Sequence, residues 1–279
     1  MSTDDVPEYP LGNTPAEDER LAWQAERFDP VTEQFFRVAG LDNGQRVLEL
    51  GSGAGHVAML VSRIVGPTGD VVGIERDGGS IARARARVAE AGLRNVSFTQ
   101  SDVNEIPRTD PFDAAVGRFI LMFLQDPVPV VRSLCRLVRP GGVVAFQEVS
   151  WAAFLKRCSQ LPLCFASVSL IHETFLRTGA NTEMGPALPS VFQKAGLPAP
   201  AMTSTMLLGN AKDLAKWLVD LLQIMRPQFE YAGLSQSKLG DLDTLPDRLL
   251  HELASSPGVI GGPDLVGGWS RIPAGLSTS

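Results

Sequence analysis

The chain has 279 residues, of which 44% are hydrophobic and 20% are charged, a balance typical of a folded globular protein. Its formal net charge is −6 and its isoelectric point is near 5.2. Nucleic acid is therefore not an expected partner, because a phosphate backbone requires clustered lysine and arginine. The nearest approach to such a cluster is Arg83, Arg85 and Arg87, which alternate with alanine and are interpreted as the solvated face of a helix.

The cysteines and the N-terminus limit the class further. Cys135, Cys158 and Cys164 match neither a disulfide framework nor the spacing of metal ligands, so no metal is expected. The N-terminal sequence MSTDDVPEYP is acidic and lacks the apolar segment of a signal peptide. No apolar run is long enough to cross a bilayer. We therefore expect a cytoplasmic protein with no membrane partner.

The first 40 residues are predicted to form a tail and lid helices. Residues 1 to about 14 are polar and are expected to be mobile unless they fold over a ligand. Thr14, Pro15 and Glu17 are typical of a helix start, with an N-cap, proline at the first helical position and an acid in the first turn. This helix is expected to continue in broken form to Val38.

Between residues 45 and 150, short β-rich runs alternate with helical segments. Strands are predicted at 46–50, 71–75, 96–98, 112–116 and 143–146. Helices are predicted from the first strand's glycine loop to about Ile64, at 81–91 before a capping Gly92, and at 128–138 before Pro140-Gly141-Gly142. The alternation predicts parallel β-α-β units in a doubly wound α/β sheet, which binds ligands beyond the carboxyl ends of its strands.

The alternation stops after Val149. Helices are predicted at 151–177 with a break near Pro162, at 188–194, at 211–225 and at 246–253, and strands at 202–208 and 264–272. The simplest arrangement is one structural domain. In it, residues 1–40 are the tail and lid, 41–150 the ligand-binding core, and 151–279 the completion of the sheet with helical insertions over the substrate.

The strongest motif follows the first predicted strand, where Glu49 precedes a glycine-rich loop. Its members are Gly51, Ser52, Gly53 and Gly55. Glycines let the backbone turn tightly and let a ligand approach closely, and the loop presents amide N–H groups at a helix start. Dinucleotide sites use G-x-G-x-x-G, but the third position here is His56. A carboxylate beside the loop suits an amino-acid ammonium better than a pyrophosphate; the alternative is a glycine loop that binds nothing.

Two further acids follow the next predicted strands. Glu75 ends the second strand, where a carboxylate can accept hydrogen bonds from both hydroxyls of a ribose. Asp102 follows the third strand and can accept from an adenine amino group, while the Val103 amide donates to a ring nitrogen. The alternatives are an ordinary exposed acid at Glu75 and a plain turn residue at Asp102.

With these motifs the chain resembles the class I S-adenosylmethionine-dependent methyltransferases, in the broad group of ubiquinone and menaquinone biosynthesis enzymes and bacterial natural-product methyltransferases. The stretches that carry the resemblance are VLELGSGAG (47–55), VVGIERD (71–77), SDVNEIP (101–107), FDAAVGRFILMFLQDP (112–127) and LVRPGGVVAFQEV (137–149). The resemblance implies a Rossmann-like sheet of seven strands, mostly parallel, with an antiparallel last strand. It also implies S-adenosyl-L-methionine as cofactor and S-adenosyl-L-homocysteine as product.

The resemblance also assigns roles to residues. It implies that Glu49 and the glycine loop hold the methionine part of the cofactor, that Glu75 binds the ribose, and that Asp102 and Val103 bind the adenine. Three further residues would lie near the cofactor: Gly117 and Arg118 beside the sulfonium, and Arg76 over the adenine. Nucleic-acid amino methyltransferases carry an Asn/Asp-Pro-Pro-aromatic motif after the fourth strand, whereas residues 117–120 of this chain are GRFI. Cytosine-C5 methyltransferases need a cysteine nucleophile that follows a proline, and no cysteine of this sequence follows one. Both differences favour a small-molecule acceptor.

Candidate bases are His172, on the apolar helical stripe after the fifth strand, and His251 beside Glu252; His56 is expected to position the cofactor or to cap its helix. The alternative for His172 is a packing role in the protein core. A base is optional, because the sulfonium is already an activated electrophile and only some acceptors must lose a proton.

The helices after Val149 carry many apolar side chains, among them Trp151, Phe154, Phe165 and Trp217. They predict a small, largely apolar acceptor, such as a polyketide, terpenoid, quinone or aromatic compound, with methylation at oxygen favoured over carbon or nitrogen. Simple core packing is the alternative for most of them. Other functions left open are a cofactor-binding cyclase or isomerase without methyl transfer, a binding protein with an inactive site and, least favoured, a nicotinamide oxidoreductase. A homodimer is also left open.

Overall fold

The computed structural model describes residues 15–107, 109–256, 258 and 261–274. The predicted mobile tail, with the predicted N-cap Thr14, lies outside the described residues. The strands are β1 (Arg46–Leu50), β2 (Asp70–Glu75), β3 (Val96–Gln100), β4 (Phe112–Arg118), β5 (Val138–Ser150), β6 (Ala201–Leu208) and β7 (Gly261–Arg271). The helices are α1 (Pro15–Ala39), α2 (His56–Val65), α3 (Gly78–Glu90), α4 (Pro127–Leu137), α5 (Ala152–Cys158), α6 (Pro162–Arg177), α7 (Met184–Ala195), α8 (Ala211–Ile224), α9 (Arg226–Tyr231) and α10 (Leu245–Ala254).

The strands form one seven-stranded sheet in the order β3-β2-β1-β4-β5-β7-β6. Parallel pairing joins β1 to β2 and β4, β2 to β3, and β4 to β5, as the alternation of strands and helices predicted. Gly141 donates its N–H to the carbonyl of Ile272, whose own N–H is donated to the carbonyl of Gly142, an exchange typical of antiparallel strands. The predicted doubly wound α/β sheet with an antiparallel last strand is confirmed.

The chain divides into two compact units. The core unit consists of Leu21–Glu148, Met184–Ser204 and the chain from Val266 onward. The helical unit consists of Val149–Glu183 and Thr205–Leu265, together with the chain up to Arg20. The predicted division into tail, core and insertions within one structural domain stays a prediction.

The core unit is held together by apolar side chains that converge from helices and strands. Phe36 of α1, Val61 of α2 and Val116 of β4 belong to one cluster and are completely buried. Burying a side chain of this size stabilises a fold by about 1.5–3 kcal/mol. The cluster therefore fixes α1 and α2 against the strands whose carboxyl ends carry the predicted cofactor residues.

Two predicted elements differ from the structure. The segment Pro140-Gly141-Gly142 does not separate helix from strand, because β5 begins at Val138 and includes it. The pairing register of β5 with β4 shifts between Phe112 and Ala114. Gly142 lies at this shift, and a Cβ placed on it would be only 2.6 Å from the carbonyl oxygen of Asp113. Gly142 is therefore a strand residue at a position where the close approach of β4 leaves no room for a side chain.

The predicted break in the N-terminal helix is also wrong, since α1 is continuous through Pro30. Tertiary packing of the helix outweighs the hydrogen bond that a proline removes. Other predicted elements differ only at their ends, for example α7, which begins at Met184 and not at 188, whereas the short helix α9 was not predicted.

Candidate cofactor-binding site

The glycine loop connects the end of β1 to the start of α2. The Ser52 amide donates to the Ile74 carbonyl at 3.0 Å, and the Gly53 amide donates to Oε2 of Glu75 at 2.9 Å. Gly53 has a φ of 49°, a left-handed value that favours glycine, and a Cβ placed on it would meet nothing within 4 Å. The loop is therefore tied to the end of β2, and its tip faces open space.

Glu49 is almost completely buried within β1, beside this loop, and is 2% exposed. Its Oε2 has no hydrogen-bond partner among the described residues, and neither does the buried Oγ of Ser52. Burial raises the pKa of the Glu49 carboxyl to about 8, an effect that Arg118 opposes and Glu75 strengthens. A buried acid without a partner is costly, so these two acceptors fit a ligand that brings its own donors.

Glu75 organises the end of β2. Besides the Gly53 amide, its carboxylate accepts from the Arg76 and Asp77 amides, each at 2.9 Å. Its own carbonyl accepts from the amide of Ser101, the residue after β3. The structure thus brings together the predicted methionine, ribose and adenine residues at the carboxyl ends of β1, β2 and β3.

Asp102 and Val103 form the turn that leaves β3. Oδ1 of Asp102 accepts from the amide and from the side chain of Asn104, both at 2.7 Å, which gives the turn a local side-chain cap. Val103 is buried. Asp102 can therefore serve both as a turn residue and as an adenine contact, because only its Oδ1 accepts hydrogen bonds within the turn.

Gly117 and Arg118 are the last two residues of β4 and are not in a loop after it. Arg118 is 6% exposed, and its Nη1 donates to Oδ1 of Asp29 at 3.1 Å and to Oγ1 of Thr32 at 3.0 Å. The Thr32 hydroxyl in turn donates to Oε1 of Gln147 at 2.7 Å. This partly buried chain of polar contacts links α1 to the ends of β4 and β5, and it was not predicted from the sequence.

The carboxyl end of β5 carries Glu148, which is completely buried. Its Oε1 accepts from the Ile120 and Leu121 amides at 3.1 and 2.8 Å, and its Oε2 accepts from the Met122 amide at 3.3 Å. Burial raises the pKa of this carboxyl to about 8, although the three backbone donors favour its charged form. Glu148 was not among the predicted site residues, since nothing local to its sequence distinguishes it from other acids.

The predicted bases His172 and His251 both belong to the helical unit. Nε2 of His172 lies 2.9 Å from the Thr182 hydroxyl, and burial lowers the pKa of the imidazole, with Glu183 and Glu173 opposing. Burial therefore favours the neutral form of the His172 imidazole. His251 is exposed on α10. His56, at the start of α2, lines a cleft of about 540 Å³ in the core unit with Asp29, and the residue that caps α2 is Gly55.

A cluster of aromatic rings surrounds Trp151 in the helical unit. Trp151 lies 5.7–6.1 Å, between ring centroids, from the rings of Phe154, Phe175, Trp217 and His172. Trp151 is 3% exposed, and its Nε1 has no acceptor in the described part of the chain. Phe165, which the sequence analysis grouped with these residues, is instead exposed.

Two other kinds of site are not found among the described residues. They contain no group of three or more histidine, cysteine, aspartate or glutamate side chains that could hold a metal ion. They also contain no helix that combines the length and the apolar character needed to span a membrane.

Comparison with known families decides among the ligands that such a loop could bind. The model of a family described as a methyltransferase domain matches residues 41–195, which is more than half of the chain. The chain belongs to this family. Its membership confirms the predicted resemblance to class I methyltransferases and the predicted transferase class, with S-adenosylmethionine as the cofactor.

Individual curated relatives match a smaller part of this chain than the family model does. The ubiquinone/menaquinone biosynthesis C-methyltransferase UbiE of Pseudomonas fluorescens (strain SBW25) is 33% identical over 115 residues, which are 40% of this chain and 45% of the relative. The chain thus matches less than half the length of this curated relative.

Solved structures share the fold. An S-adenosylmethionine-dependent methyltransferase from Aquifex aeolicus aligns with a TM-score of 0.50 at 20% identity, over 70% of this chain and 88% of that one. The [4+2]-cyclase SpnF aligns with a TM-score of 0.55 at 20% identity, over 88% and 82% of the two chains. At this identity the likeness establishes the fold alone.

Proposed function

We propose that this protein transfers the methyl group of S-adenosylmethionine to a small, largely apolar acceptor, with oxygen favoured as the methylated atom. The observation that carries the proposal is the buried Glu49 carboxyl beside the glycine loop of a methyltransferase domain, since its Oε2 has no hydrogen-bond partner in the described chain. A cationic amino-acid group is the kind of ligand that would justify such an acid.

The cofactor residues have separate tasks in this proposal. Glu49, Ser52 and the open backbone at Gly53 hold the methionine part, Glu75 the ribose hydroxyls, and Asp102 with the Val103 amide the adenine. Arg76 and the end of β4 at Gly117 and Arg118 complete the set. When bound, the cofactor supplies a methyl group on a sulfonium, which needs no further activation. The protein must align the acceptor with that methyl group and exclude water.

The acceptor is assigned to aromatic residues of the helical unit. The rings around Trp151 are suited to a flat, apolar molecule, and Nε1 of Trp151, which has no acceptor among the described residues, can donate to an oxygen of that molecule. A neutral His172 can accept the proton that a phenol or alcohol must lose. Methylation at a ring carbon would need a further proton transfer, from C–H, which is why oxygen is favoured here although UbiE is a C-methyltransferase.

The test is a screen of phenols, quinols and carboxylic acids with cofactor that carries a radiolabelled methyl group. The proposal expects label in an organic-soluble product and one S-adenosylhomocysteine per methyl transferred, with the methylated atom identified by NMR. Label on carbon or nitrogen would refute the preference for oxygen. Conversion of an acceptor without consumption of cofactor would instead favour a cyclase or isomerase. A cytoplasmic location and a homodimer stay predictions.

A further inference from the structure

The turn that follows β4 is held by the last residues of β5. The Phe119 amide donates to the Gln147 carbonyl at 3.0 Å, and the next three amides, of residues 120 to 122, donate to the Glu148 carboxyl. Phe119 has a φ of 56°, the one positive value found outside glycine in the described chain. A non-glycine residue in this region is strained, so the surrounding contacts must hold it there.

The side chain of Ile120 points from this turn onto the glycine loop. A Cβ placed on Gly51 would lie 2.6 Å from Cδ1 of Ile120, and one placed on Gly117 would lie 2.8 Å from its Cγ2. Ile120 therefore packs directly on the α-carbons of two predicted cofactor residues. Its side chain thus covers the carboxyl ends of the paired strands β1 and β4.

We propose that Glu148 is a positioning residue for the cofactor: its carboxyl holds the turn at residues 119–122 and thereby keeps Ile120 packed on Gly51 and Gly117. This inference rests on the proposed function, since it concerns the same binding site. Glu148 acts through Ile120 and needs no contact with the cofactor.

The contacts of Glu148 explain why a carboxyl is used. Three successive backbone N–H groups converge on it, and the bonds from Leu121 and Met122 are buried, where the loss of an acceptor is costly. An apolar side chain of similar size would leave all three donors unpaired, and the strained turn at Phe119 would lose the contact that opposes relaxation. A glutamine would keep one carbonyl oxygen, which can serve the two donors that now share Oε1.

The experiment compares Glu148→Leu with Glu148→Gln by calorimetric titration with S-adenosylhomocysteine. We expect Glu148→Leu to raise the dissociation constant about tenfold, within the roughly 2- to 30-fold range by which residues that do not touch a ligand change its affinity through packed neighbours. Glu148→Gln should restore most of the affinity. Glu252→Leu is the matched control, because that carboxylate also accepts two backbone amides, those of Leu163 and Cys164, but in the helical unit; its dissociation constant should equal that of the wild type.

A double-mutant cycle tests whether the effect passes through Ile120. Ile120→Ala alone should weaken binding, and adding Glu148→Leu to it should cause little further loss, since coupled residues are not additive. Additive losses, or an unchanged dissociation constant in Glu148→Leu, would overturn the inference. If Glu148→Leu does not fold, wild-type affinity in Ile120→Ala overturns it as well. A wild-type protein that does not bind S-adenosylhomocysteine would refute the proposed function itself.

Discussion

Glu49 offers the most direct test of the site, because its ionisation should be coupled to cofactor binding. The buried carboxyl has a pKa of about 8, so at pH 7 it is mostly protonated in the free protein. Pairing with a cationic ammonium requires the ionised form. Ionising it at pH 7 costs about 1.4 kcal/mol, the free energy of one pKa unit, and each pH unit below that adds the same amount.

Two consequences follow for the wild type. The association constant of S-adenosylhomocysteine should rise about tenfold between pH 6 and pH 7, and about 0.9 proton should be released per ligand bound at pH 7. Glu49→Gln cannot ionise, so it should bind more weakly, without this pH slope and without proton release. Glu90→Gln, which changes an exposed acid at the end of α3, should behave as the wild type.

The assay is calorimetric titration in two buffers with different enthalpies of ionisation, which counts the protons released. The range from pH 6 to pH 7 keeps the ligand's own amino group charged, since a free amino acid's ammonium is more basic than the terminal amine of a peptide, which ionises at about 7.7–8.0. Equal proton release by wild type and Glu49→Gln would refute the reasoning, because the titrating group would then lie elsewhere.

Further expectations concern four other residues. Gly53→Val should abolish cofactor binding, whereas Gly92→Val, at an equally open glycine with positive φ, should change only stability. If the two variants bind the cofactor with equal affinity, the glycine loop is not part of the binding site. Glu75→Ala should weaken cofactor affinity by about 1–3 kcal/mol, measured by titration. His172→Ala should lower turnover more than cofactor affinity, and wild-type turnover would remove it as a base. In the folded protein the Glu148 carboxyl keeps its proton up to a pH of about 8, whereas a glutamate in the unfolded chain loses its proton at a pH of about 4.3. The free energy of unfolding should therefore fall as the pH rises between these values, and Glu148→Gln should reduce the slope in chemical denaturation.

The sequence predicted the parts of the site that depend on local chain geometry. A glycine loop between β1 and α2, and acids at the ends of β2 and β3, are recognisable because turn geometry and strand ends restrict which residues can stand there. The parallel sheet then brings these strand ends together, so the proximity of Glu49, Glu75 and the loop followed from the fold.

The sequence could not predict contacts that join distant positions through packing. Asp29 meets Arg118 across 89 residues of chain, and Thr32 meets Gln147 across 115. The Pro140-Gly141-Gly142 segment was misassigned for the same reason, since its strand character depends on pairing with the chain near Ile272. Local propensity is overridden in such places by a partner that only the folded chain supplies.

The two buried acids of the core unit differ in a way that argues for their roles. Glu49 lies near the carboxyl end of β1 and Glu148 near that of β5, the two strands that flank β4, and burial raises both pKa values to about 8. Each would stabilise the fold better as an apolar residue if packing were its only task. Glu148 gives both of its oxygens to backbone donors, so its cost is offset within the protein. The cost of Glu49 is not offset by any bond to Oε2 in the described chain, which makes it the acid that requires a ligand.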